Sequence, residues 1–178
     1  MAQPANLVLI GPTGAGKTSV GRLLARRLGW RFVDVDGEIE ASSGVSIPLI
    51  FELEGEPGFR EREHRVLATV CAGSGQVIAT GAGAVLREDN RRLIKAAGWV
   101  VLLSATIDQQ LQRLERDGSR PLLAGGQRRR RLEQLAEERE PIYRALADLV
   151  VQTGDGPPRR VCANVLAALA ERGIEPAA

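Results

Sequence analysis

Gly11-Pro12-Thr13-Gly14-Ala15-Gly16-Lys17-Thr18 gathers the residue types that hold phosphate. The apolar run Leu7-Val8-Leu9-Ile10 precedes it, and a helical pattern of Val20, Leu23, Leu24 and Leu28 follows. Strand, glycine-rich turn and helix are the context in which G-x-x-x-x-G-K-[ST] spacing becomes an anion cradle. The N–H groups of such a turn point inward, and the helix adds the positive end of its dipole. Lys17 supplies a point charge for the β- and γ-phosphates, and the Thr18 hydroxyl suits Mg²⁺. An ordinary glycine-rich turn gives no reason for those flanks and that Lys-Thr pair together. The stretch implies nucleoside triphosphate binding.

Further candidates lie along the chain. Arg31 to Asp36 reads as a short second strand, whose alternation puts Asp34 and Asp36 on one side at its C-terminal end. In open α/β sheets that end borders the ligand crevice. Two carboxylates there suit indirect Mg²⁺ contact and recognition of a hydroxyl; the alternative is that Asp36 only caps the helix starting at Gly37. Arg60 begins a helix, where the dipole disfavours a cation, so an anionic substrate would give it a role. His64, the lone histidine, reads as a solvated residue of the same charged helix. Gly81-Ala82-Gly83 ends a strand and would allow close approach of backbone to a ligand, or be a plain turn. Arg120 sits in Ser119 to Gly126, a segment of the kind that closes over phosphates. Arg128 to Arg131 are expected to pair with Glu133, Glu137 and Glu138 at helical spacings rather than to bind nucleic acid. With aromatics at only 3%, base-stacking partners are scarce.

These residues need a scaffold, and the pattern supplies an α/β one. Strands are expected at residues 7–10, 31–36, 76–80, 99–103 and 149–153, alternating with helices. Unbroken apolar runs such as Trp99 to Leu103 indicate a five-stranded parallel sheet with helices on both faces. Residues 46–73 read as two helices broken at Gly55-Glu56-Pro57-Gly58, and a later helix breaks at Pro141. At 178 residues and a net charge of +2, the chain is one domain, 1–178, without the charge that nucleic acid or an anionic membrane attracts. Of its 24 basic residues only Lys17 and Lys95 are lysines, so a compact ammonium stands where phosphates crowd. Cys71 and Cys162 read as buried free thiols of a reducing compartment. No signal peptide or membrane span is evident, and a cytoplasmic monomer is expected.

The ordered series GPTGAGKT, DVD, GEPGFRERE, ATGAGAV, RPLL and Glu138-Arg139-Glu140-Pro141-Ile142-Tyr143 resembles the shikimate kinase family across nearly the whole chain. The resemblance implies a P-loop fold like that of nucleoside-monophosphate kinases, with a substrate-binding helical segment about 37–64 and a mobile lid about 117–127. It also implies phosphorylation of the 3-hydroxyl of shikimate with ATP and Mg²⁺, toward chorismate and aromatic amino acids. Carried over by residue, Gly14, Ala15, Gly16, Lys17, Thr18 and Ser19 hold the phosphates. Thr18 ligates Mg²⁺, with Asp34 helping through water. Asp36 contacts the acceptor hydroxyls and is the candidate base, Arg60 and Arg139 grip the carboxylate, Ala82 offers its backbone, and Arg120 meets ATP from the lid. The family's turn is usually Gly-Gly-Gly, so Ala82 is a departure, expected to be tolerated at negative φ with Gly81 and Gly83 taking any unusual dihedrals. The adenine-side loop about 153–157 matches poorly. A gluconate kinase shares the P-loop and differs on the acceptor side.

Overall fold

The computed structural model describes residues 6–116 and 127–174. Among them, β1 (Asn6–Ile10), β2 (Arg31–Asp34), β3 (Gln76–Ala79), β4 (Gly98–Ser104) and β5 (Leu149–Gln152) form one parallel sheet. Their order is β2-β3-β1-β4-β5. Alternation sets the layers: Leu7 and Leu9 face one side of β1, Val8 and Ile10 the other, and all four are buried. α1 (Lys17–Leu28) and α7 (Pro158–Glu171) cover the first face, where Val20, Leu24, Val165 and Leu169 meet Val101 and Leu103. α2 (Val35–Ser43), α3 (Ile47–Cys71), α4 (Glu88–Ala97) and α6 (Arg128–Leu146) cover the second. There Ile39, Ile50, Leu67, Ile94 and Tyr143 pack on Ile78 and Leu102. Each fully buried Leu or Ile contributes about 1.5–3 kcal/mol, so both faces are needed to hold the sheet. α5 (Ile107–Arg116) and α6 share a separate small cluster around Leu114 and Leu132.

The chain leaves β1 toward β2 on one side and later crosses to β4 on the other. A crevice therefore opens beyond the C-terminal end of β1, the expected ligand position in an open α/β sheet. This is the five-stranded, two-faced architecture the sequence implies.

Four local expectations change. β2 stops at Asp34, and Val35 and Asp36 already belong to α2. α3 is two helices meeting at a kink, as expected, but the kink is Gly55 alone (φ 69°, ψ −176°) instead of the whole stretch 55–58. α6 continues through Pro141, because Tyr143 and Leu146 beyond it are buried in the core and hold the last turns in place. Arg129 hydrogen-bonds Asp108 of α5, joining α5 to α6, and Glu133 of its own helix acts on it through charge without a hydrogen bond. Both cysteines are free, Cys162 buried and Cys71 half-buried, with burial pushing the Cys71 thiol up to about 11. No helix among the described residues is long and apolar enough to cross a membrane.

Candidate active site

The loop between β1 and α1 turns through Gly14 and Gly16, at φ 78° and 88°. Gly16 is the N-cap of α1 and brings no side-chain cap, which leaves the first N–H groups of the helix to face the crevice. Lys17 Nζ donates to the carbonyls of Gly11 (2.7 Å) and Pro12 (2.9 Å), which holds the ammonium inside the loop. Thr18 Oγ1 donates to Asp34 Oδ2 at 3.1 Å. Asp34 Oδ1 accepts from the Asp36 N–H at 3.1 Å and so caps α2. The cap is therefore Asp34 and not Asp36: the chain turns into helix as soon as Asp34 can accept that bond. A cleft of about 580 Å³ runs from the loop past Asp34, Asp36 and Ala82 to residues 153–158, and Gly14 to Ser19 line it.

Beside this phosphate side lies a cluster of charges. Arg60, on α3 past the Gly55 kink, donates through Nη1 to Glu63 Oε1 at 2.8 Å and reaches Glu56 at 3.4 Å. The Glu63 side chain is only 1% exposed, and its Oε2 has no partner among the described residues. Burial raises the Glu63 carboxyl, Arg60 opposes that, Asp36 adds to it, and Arg139 lowers it again. Arg60, Asp36 and Arg139 are thus each within electrostatic reach of Glu63. Arg139, on α6, has a buried Nε without a hydrogen-bond partner among the described residues, and Glu138 Oε2 is 4.0 Å away. A half-buried guanidinium with its Nε unpaired and its nearest carboxylate 4.0 Å away is suited to an anion.

The turn at residues 81–83 fits into this cluster by its lack of side chains. A Cβ on Gly83 would sit 2.3 Å from Arg60 Nη2, and one on Gly81 would sit 3.0 Å from both Asp36 Oδ1 and Glu63 Oε2. Neither glycine has positive φ, so what they supply is space, contrary to the expectation of unusual dihedrals. Ala82 has negative φ, as expected, and its carbonyl accepts from Tyr143 Oη at 2.6 Å. Burial pushes the Tyr143 hydroxyl up to about 12, with Arg139 opposing.

Arg113 closes the far end of the cleft. It donates to the Gly14 carbonyl (2.9 Å), Thr153 Oγ1 (3.0 Å) and the Gly154 carbonyl (2.6 Å). The phosphate loop and the loop after β5 are thereby joined through one side chain.

Gly14 to Ser19, Asp34, Asp36, Arg60, Ala82 and Arg139 thus converge on one end of the sheet. Arg120 and the lid about 117–127 lie outside the described residues, apart from Gln127 at the N-cap of α6. His64 is half-buried and bonded to Asn90 instead of solvated. Sequence reasoning passes over Glu63, Arg113 and the Tyr143 contact. Glu63 stands three residues from Arg60 on a helix, and that spacing is a signal; Arg113 is one charge among many on an amphipathic helix and gives none.

Hard oxygens side by side on Thr18 and Asp34 fit Mg²⁺. Among the described residues no three His, Cys, Asp or Glu side chains are grouped to cage a metal. Mg²⁺ needs no such cage, since one or two protein oxygens plus phosphates suffice.

Known proteins can now be set beside this geometry. A family model for shikimate kinase matches residues 13–170. A shikimate kinase of Pseudomonas syringae pv. syringae is 51% identical over 166 residues, spanning 93% of this chain and 96% of its own. The structure of the shikimate kinase of Acinetobacter baumannii in complex with shikimate is 42% identical, with a TM-score of 0.92 over 96% of each chain. A gluconokinase of Sinorhizobium meliloti 1021, covering 97% of this chain and 95% of its own, has a TM-score of 0.61 at 17% identity and shares the fold alone. With a model spanning most of its length and half its residues identical to such a relative, the chain belongs to the shikimate kinase family.

Proposed function

We propose that this kinase transfers the γ-phosphoryl group of ATP to the 3-hydroxyl of shikimate, giving shikimate 3-phosphate and ADP on the route to chorismate and aromatic amino acids. The observation that carries the reading is that Asp36, Glu63 and Arg60 abut the 81–83 turn beside a phosphate loop, with Arg139 within electrostatic reach of Glu63. A carboxylate-bearing polyol fits such a set, with forked guanidinium groups for its acid and a carboxylate for its hydroxyls.

In this reading residues 1–178 act as one kinase domain, in which residues 37–64 receive the acceptor and 117–127 form the lid. Gly14 to Ser19 hold the phosphates through backbone N–H groups and the Thr18 and Ser19 hydroxyls. Lys17 moves from the Gly11 and Pro12 carbonyls to the transferring group and offsets its charge. Thr18, with Asp34 through water, would hold Mg²⁺, which would supply charge shielding to the phosphates. Arg60, fixed by Glu63, and Arg139 bind the carboxylate, and the Ala82 N–H adds one donor. Asp36 orients the 3-hydroxyl and takes its proton as the oxygen bonds to phosphorus and the bond to the ADP oxygen breaks. Arg120 adds charge from the lid. Phosphoryl transfer through a loose transition state asks mainly for this positioning and positive charge.

In this reading the enzyme acts as a monomer. The free thiols Cys71 and Cys162 suit a reducing cytoplasm. ADP release with shikimate, quinate and gluconate in parallel tests the reading. Shikimate is expected to lead the others by at least tenfold in kcat/KM; a lead by gluconate would move the chain to another acceptor.

A further inference from the structure

Three backbone carbonyls follow the 81–83 turn in a short 3-10 turn, Ala84–Leu86, which ends at extended Arg87. Too short to satisfy its own carbonyls, it needs outside donors. Asn90 Nδ2 donates to Ala84 at 2.9 Å, and Arg91 Nη1 donates to Val85 (2.7 Å) and Leu86 (3.0 Å). Asn90 is 1% exposed, so its remaining oxygen also requires a partner. That partner is His64 Nδ1 at 2.7 Å. Because the Asn90 amide nitrogen faces a carbonyl, its Oδ1 must accept, and the Nδ1 of His64 carries the proton.

His64 follows Glu63 on α3, and Arg60 lies one turn earlier. The same helix therefore meets the turn at two places. On one side Arg60 and Glu63 fill the space left by Gly83 and Gly81. On the other, His64 holds Asn90, which holds the Ala84 carbonyl. Ala84 and Leu86 in turn donate their N–H groups to Gly81 and Gly83, both at 3.1 Å. A shift in the turn would move the Gly81 and Gly83 backbone against Asp36, Glu63 and Arg60, which abut it.

From this chain of bonds we infer that His64 is a positioning residue, acting through Asn90 to hold the 81–83 turn at a fixed distance from Arg60 and Glu63. The inference rests on the acceptor-site reading above, but its first readout does not depend on substrate. His64→Leu and His64→Ala remove the donor at a half-buried position, whereas His64→Asn returns an N–H near the Nδ1 position. Amide hydrogen exchange in peptides covering residues 81–86 is expected to quicken at least fivefold in Leu and Ala variants with unchanged far-UV spectra. His64→Asn should return to within twofold of the parent. With shikimate, the KM for shikimate should rise about fivefold in the donor-less variants, with the KM for ATP and kcat within twofold, and recover in His64→Asn. Unchanged exchange, equal shifts in both KM values, or no recovery with Asn would overturn the role. If exchange responds as expected but the parent does not turn over shikimate, the pair stands and the proposed function falls.

Discussion

At the scale of single residues, Asp36 and the glycines around Ala82 carry the sharpest expectations. Since Asp34 caps α2, the carboxylate of Asp36 is not required by the helix start, and Asp36→Asn should fold normally. It keeps the shape but loses the proton acceptor, so kcat should fall at least about 10²-fold, the scale of general-base catalysis. ATP affinity by calorimetry should stay within about threefold. An equal loss of ATP binding would move Asp36 to the metal site. Ala82→Gly should change kcat/KM for shikimate less than about threefold, because the alanine is already at ordinary φ. Gly83→Ala differs: its new methyl meets the Arg60 guanidinium, a flexible end that must yield. The KM for shikimate should then rise about tenfold while that for ATP stays put, and a silent Gly83→Ala would separate Arg60 from the acceptor. The phosphate loop was readable from residue types, since its spacing is local. The i,i+3 spacing of Glu63 from Arg60 was also a local signal, whereas Arg113 gave none, because its partners lie far along the chain and it stands among like charges.

Among the elements, α3 and α6 decide the acceptor side. Gly55 bends α3 at φ 69° and ψ −176°, a region open essentially to glycine alone. Gly55→Ala should cost about 1–3 kcal/mol and lower Tm by several degrees. It should also raise the KM for shikimate, because Arg60 lies just past the bend. A Tm within one degree of the parent would show that the bend is not strained for alanine. Tyr143 ties α6 to Ala82, and its hydroxyl, near 12 against a usual 10, titrates earlier in the unfolded chain. Its contribution is therefore complete below pH 10 and lost as pH climbs through 12. By pH 11 the loss is about 1.4 kcal/mol for one unit of difference. Urea midpoints between pH 9 and 11 should drop further for the parent than for Tyr143→Phe; equal drops would refute the assignment. Apolar period and glycine-proline punctuation made strand and helix positions legible. The end of β2 depended on a capping bond, and the survival of α6 at Pro141 on tertiary packing, neither of which shows in a local pattern.

For the whole molecule, sheet order and crevice turn separate stretches into one site. Alternation of Leu7, Val8, Leu9 and Ile10 shows that both faces are buried, but says nothing of which strands flank β1. Placing β3 and β4 on either side brings the phosphate loop, the 81–83 turn and α6 to one end of the sheet. The family's ordered motifs anticipated that gathering; composition and period alone did not. A single phosphoryl acceptor held beside that loop is the central claim. Phosphorus NMR of a completed reaction with ATP, Mg²⁺ and shikimate tests it most directly. One new phosphoester, coupled to the ring proton at the 3-position and formed in equal amount with ADP, is the expected result. ADP with only inorganic phosphate, or an ester on another hydroxyl, would contradict it.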